Sequence, residues 1–77
     1  MTNKKVDVML HIDENLTHNE LETIRADILK KSGVLVADFR EQKPHVLMIE
    51  YDPDEITAVE FVNVAKESGF HAELIGL

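Results

Sequence analysis

Four histidines are the residues of this chain best suited to chemistry. They are His11, His18, His45 and His71. A neutral imidazole is a good ligand for Zn²⁺, Ni²⁺, Co²⁺ and Cu²⁺. Their spacing along the chain matches no linear metal motif, so a shared site requires that the fold bring them together. Carboxylates that could complete a coordination shell are also available: Asp13, Glu14 and Glu73.

Other kinds of chemistry have little support in the sequence. The chain has no cysteine, which excludes disulfides and thiolate ligands. Its three glycines are isolated, so no phosphate-binding loop is present. The acidic run Asp52, Asp54 and Glu55 lacks the ligand spacing of a calcium loop, and we expect it to cap and solvate a helix. The sequence therefore predicts a binding protein and no enzymatic activity.

The net charge narrows the choice of partners. The 77 residues carry a formal charge of −7, which argues against nucleic acids and anionic membranes because both require a basic surface. A cation or a basic protein suits this charge better. The apolar run at residues 6–12 is too short and too polar for a signal peptide, and no segment is long enough to span a membrane. These features predict a cytoplasmic protein.

The first half of the chain predicts a strand followed by a helix. Apolar and polar residues alternate over residues 6–12, as in a half-buried strand. Thr17 and Glu20 then have the spacing of a capping box, in which the side chain of each residue accepts a hydrogen bond from the backbone amide of the other residue. The helix has an apolar stripe, and Gly33 is its expected stop. The stripe consists of Leu21, Ile24, Ile28 and Leu29.

The second half repeats this pattern after a hairpin. Strands are predicted over residues 34–39 and 46–51, joined by a polar connection from Arg40 to Pro44. Thr57 and Glu60 repeat the capping-box spacing, and Phe61, Val62 and Ala65 supply the buried stripe of a second helix. Residues 70–75 alternate again and form the last strand.

These elements predict one α+β domain over residues 1–77, ordered β-α-β-β-α-β. Right-handed crossovers leave a gap between strands one and two that strand three can fill. We therefore expect a four-stranded antiparallel sheet in the order 4-1-3-2, with both helices on one face. The other face is open to solvent or to a partner.

This topology gathers the histidines at one end of the sheet. His11 ends strand one, while His45 and His71 open strands three and four, which run antiparallel to it. His11 and His71 lie on adjacent strands, and the alternation of side chains along each strand directs both towards the open face. They are therefore the predicted centre of a divalent-metal site, for Zn, Ni, Co or Cu(II). His45 is the third predicted ligand. The alternation of strand three directs its side chain towards the helices, and a kink at Pro44 could redirect it. His18, at the start of a helix, is expected to face water.

The sequence also resembles the heavy-metal-associated domain of copper chaperones and metal-pumping ATPases. The similar segments are the opening strand, Ser32-Gly33-Val34, residues 49–53 and residues 68–75. The resemblance covers nearly the whole chain and implies a ferredoxin-like βαββαβ fold. That family binds a soft metal through two cysteines three residues apart in the loop before the first helix. Counting back from Gly33 places Thr17 and Glu20 at those positions, so Cu(I) binding by thiolates is excluded here.

Two functional hypotheses remain open at this point. The first is a small metal-binding, metal-sensing or metal-trafficking protein that uses histidine in place of cysteine. The second is a metal-free interaction or regulatory module that binds itself or a protein partner through the open face of the sheet. The apolar residues expected on that face are Met9, Val46, Met48 and Ile75.

Overall fold

A computed structural model describes residues 4–40 and 42–75 of the chain. Its elements follow the predicted order: β1 (Val6–Ile12), α1 (His18–Leu29), β2 (Val34–Arg40), β3 (Lys43–Tyr51), α2 (Val59–Glu67) and β4 (Ala72–Ile75). The four strands form one sheet in the order β2-β3-β1-β4, and all neighbouring strands are antiparallel. The predicted α+β ferredoxin-like fold and the predicted strand order are therefore confirmed.

The core lies between the sheet and the two helices. Leu10 of β1 pairs with Leu47 of β3 on one side and with Leu74 of β4 on the other. Side chains of both helices join the same core, among them Ile24, Ile28, Phe61 and Val64. The predicted stripe of the first helix is too wide by one residue, because Leu29 is 37% exposed.

The opposite face of the sheet, here called the open face, carries the alternate strand residues. Successive side chains of a strand project to opposite faces, so the open face follows from the buried positions and the register. Its residues are Asp7, Met9, His11, Val36, Asp38, Val46, Met48, Glu50, Glu73 and Ile75. It therefore combines an apolar centre with carboxylates.

The predicted capping box begins α1. Thr17 Oγ1 accepts a hydrogen bond from the Glu20 amide at 3.2 Å, and Glu20 Oε1 accepts one from the Thr17 amide at 2.8 Å. Two amides that lack partners within the helix are thus satisfied. After the helix the chain turns at Gly33, whose φ of 95° favours glycine, as the predicted stop requires.

The predicted second capping box is wrong. α2 begins at Val59 with Ala58 as its N-cap, and that cap makes no side-chain hydrogen bond. The Glu60 amide instead donates to the backbone carbonyl of Thr57 at 3.1 Å, and the Phe61 amide donates to the carbonyl of Ala58. These short-range bonds tighten the first turn. The amide that the Thr57 hydroxyl was expected to cap therefore bonds to a backbone carbonyl.

Two predicted strand boundaries are also wrong. β3 begins at Lys43, because Arg40 already pairs with Lys43, so Pro44 and His45 belong to the strand. β4 begins only at Ala72. The Phe70 amide donates to the carbonyl of Ala65 at the end of α2, which ties that residue to the helix. These shifts decide which side chains meet at the end of β1.

Candidate metal centre

One histidine and two carboxylates converge where β1 meets β4 on the open face. His11 and Glu73 are direct cross-strand partners, and Asp13 follows β1 by one residue. Each of the three offers a ligand atom, and these atoms lie within 4.8 Å of one another. An imidazole with two carboxylates is a ligand set that suits divalent transition metals.

The His11 ring contains a nitrogen without a hydrogen bond. Its Nδ1 atom is shielded from solvent and has no hydrogen-bond partner among the described residues. Asp13 Oδ1 lies 3.2 Å from this nitrogen, which is close enough for an ion pair, yet the geometry does not form a hydrogen bond. A buried polar atom without a partner is uncommon and calls for an explanation such as a bound ion. The residues therefore fit a metal.

His71 lies beside this cluster and is paired with Glu14. Its Nδ1 lies 2.6 Å from Glu14 Oε2, and its backbone amide donates to Glu14 Oε1 at 2.8 Å. The hydrogen bond to Glu14 raises the pKa of His71 above its usual 6.5, and the hydrogen bonds from His71 lower the pKa of Glu14. The carbonyl of His71 accepts from the Asp13 amide, which fixes the segment beside the end of β1.

His45 lies on the other side of His11. Its Nδ1 is 2.8 Å from the carbonyl oxygen of Ile12, and its ring stacks on that of His11 with the centroids 5.9 Å apart. A Zn–N bond is about 2.0–2.1 Å long, so two rings on one tetrahedral ion have centroids roughly 5 Å apart. The observed separation is close to that distance.

The structure thus gathers three of the four histidines at the end of β1, but in different roles. His11 is in the carboxylate cluster, while His45 and His71 flank it with their Nδ1 atoms already in contact with oxygen. His18, the first residue of α1, lines a separate pocket with Phe39, Arg40 and Pro44.

Sequence reasoning placed Asp13 and Glu73 among optional ligands, whereas here they are the nearest partners of His11. The antiparallel register between β1 and β4 decides which side chains are nearest to His11. With β4 beginning at Ala72 opposite Ile12, His11 faces Glu73, and His71 is displaced towards the loop. A strand predicted from residue 70 does not specify this pairing.

Comparison with known proteins confirms the fold. Neither the family profiles nor the curated protein sequences gave a match. The oxidized MerP of Ralstonia metallidurans CH34 superposes with a TM-score of 0.83 at 14% identity, over 95% of this chain and 100% of that one. A putative copper-ion-binding protein from Bacillus anthracis gives 0.82 at 14% identity, over 94% and 100%. The yeast copper transporter domain Ccc2a gives 0.79 at 22%, over 90% and 93%.

At these identities the likeness establishes the fold and transfers no binding residue. None of the helices in the described part of the chain is long and apolar enough to cross a membrane. The resemblance predicted from the sequence is confirmed at the level of architecture: the chain has the fold of a heavy-metal-associated domain and lacks its cysteine pair.

Proposed function

We propose that this protein binds a divalent transition metal through His11, Asp13 and Glu73. The observation that supports this most directly is the shielded His11 Nδ1, which has no hydrogen bond within residues 4–40 and 42–75 and lies 3.2 Å from a carboxylate oxygen. A bound cation would satisfy that nitrogen and reduce repulsion between the two carboxylates. Zn²⁺, Co²⁺, Ni²⁺ and Cu²⁺ are the ions that this nitrogen and oxygen set suits.

His71 and His45 are proposed as further ligands through their Nε2 atoms. A metal-binding histidine usually donates its other ring N–H to a carboxylate or a backbone carbonyl, which orients the ring and leaves one lone pair for the metal. The carboxylate of Glu14 accepts from Nδ1 of His71, and the carbonyl of Ile12 accepts from Nδ1 of His45. The contacts that occupy Nδ1 therefore support the ligand role predicted from the sequence.

The proposed role is metal trafficking or sensing, without catalysis. The His71 side chain is 82% exposed and the Asp13 side chain 59% exposed. A centre at the surface lets an incoming protein replace one ligand at a time, which suits a carrier better than a buried structural site.

A second candidate function is protein docking on the open face. It is favoured by the row that Ile75, Met9 and Met48 form across three adjacent strands. Sedimentation of the metal-free protein over a range of concentrations tests self-association through this row, and replacement of Ile75 by lysine should abolish it.

Calorimetric titration with the four divalent ions tests the metal proposal. We expect the parent protein to bind one ion, and His11→Ala or Asp13→Asn/Glu73→Gln to weaken binding by more than about tenfold. His71→Ala and His45→Ala should have smaller effects, and His18→Ala should have none. Asp54→Asn/Glu60→Gln is the matched control, because it removes the same charge at the opposite end of the sheet. Equal affinity in the His11 variant and the parent would refute the site.

A further inference from the structure

Two methionines form a direct cross-strand pair on the open face. Met9 of β1 and Met48 of β3 occupy the same register position. Their chain neighbours Leu10 and Leu47 are fully buried on the helix side, so the two thioether side chains project to the other face and lie side by side. Both are half-buried.

His11 stands on the same face, two residues along β1 from Met9. Residues at positions i and i+2 of a strand share a face, and long side chains reach their diagonal neighbours across a strand pair. Met48 is such a diagonal neighbour, because His11 pairs with Val46. Two sulfur atoms and one imidazole can therefore approach a common point without any change in the backbone.

The surroundings of the pair suit a weakly hydrated ion. Ile75 pairs with Met9 on the side of β4, and Val46, only 9% exposed, pairs with His11 on the side of β3. These apolar neighbours cover the flanks of the pair, although Ile75 itself is 37% exposed. Thioether sulfur is a soft donor that selects Cu(I) among the biological metals, whereas the harder divalent ions favour imidazole and carboxylate.

We infer that the open face binds a soft monovalent ion, Cu(I) or its redox-inert analogue Ag(I), through Met9 and Met48 with His11 as the third donor. This site uses no thiolate, and it goes beyond the proposed divalent centre, with which it shares only His11. The two ligand sets meet at one imidazole. Asp13 follows His11 along the chain and Glu73 pairs with it on β4, whereas Met9 precedes it on β1 and Met48 lies diagonally across on β3.

Titration with Ag(I), followed by calorimetry and by the methionine methyl signals in NMR spectra, tests this inference. The key variant is Met9→Leu/Met48→Leu, which nearly conserves side-chain volume and so retains the apolar row while removing both sulfur atoms. The reciprocal variant is Asp13→Asn/Glu73→Gln, which retains both sulfur atoms. Both are also titrated with Zn²⁺.

We expect Ag(I) to shift the methyl signals of Met9 and Met48 in the parent and to bind at least about tenfold more weakly to the double leucine variant. The carboxylate variant should retain Ag(I) binding, and the leucine variant should retain Zn²⁺ binding. Equal Ag(I) affinity in the leucine variant, or unshifted methyl signals in the parent, would overturn the inference. Because the Zn²⁺ titration is independent of the sulfur atoms, failure of the divalent centre would be seen separately. The methyl shifts need no variant, so they decide the matter even if the leucine variant does not fold.

Discussion

At the scale of single residues, the His71–Glu14 pair makes the stability of the fold depend on pH. Glu14 has a lowered pKa, so its contribution to stability is complete above the ordinary 4.5 and is lost as the pH falls through the lowered value. His71 has a raised pKa, so its contribution is complete below the ordinary 6.5 and is lost as the pH rises through the raised value. The pair therefore stabilises the fold fully between about pH 4.5 and 6.5.

This pairing gives a direct prediction for the metal-free protein. In Glu14→Gln, the pKa of His71 should fall towards 6.5, because the charged partner that favours the imidazolium is gone. Titration of the histidine ring signals by NMR measures this change. The ring of His18, which lines a different pocket with Phe39 and Arg40, is the internal control. An unchanged titration of His71 would show that the two side chains do not pair in solution.

At the scale of elements, the two helices start differently although their sequences match. Thr17→Ala should destabilise the fold by about 0.5–2 kcal/mol, because it leaves a first-turn amide without its hydroxyl partner. Thr57→Ala should change the free energy of unfolding much less, because the carbonyl of Thr57 remains to accept from Glu60. Thermal or urea unfolding of the two variants compares them directly. Equal losses would contradict the observed start of α2.

The same contrast shows what the sequence could predict. Alternation and capping signals were enough for six elements and their order, since these depend on local periodicity. The start of α2 was not predictable from Thr57 and Glu60, because backbone carbonyls competed for the same amides. The candidate site depended on still finer detail. The register of β4 against β1 places Glu73 opposite His11, and local sequence does not encode that register.

At the scale of the whole molecule, the chain has the fold of a heavy-metal-associated domain, and the first turn of α1 forms a hydrogen-bonded cap. Thr17 and Glu20 stand where the resemblance places the two cysteines, and here they close a capping box. The donors proposed for metal instead lie along the adjoining edge and the open face of the sheet. Both the capping box and the proposed donors lie outside the buried core between sheet and helices.

Because Thr17 and Glu20 lie outside the buried core, we expect that cysteines at these two positions would let the chain bind Cu(I) through thiolates. Thr17→Cys/Glu20→Cys should create a Cu(I) site of higher affinity than the parent, since thiolates are the ligands that Cu(I) prefers. Loss of the Thr17 cap should cost about 0.5–2 kcal/mol of stability, and loss of the Glu20 bond should add to it. Competition with a chromophoric Cu(I) chelator measures the affinity. The changes are best made together with Met9→Leu/Met48→Leu, so that any gain comes from the new thiols. A folded variant with no gain in Cu(I) affinity would show that Thr17 and Glu20 do not occupy the cysteine positions.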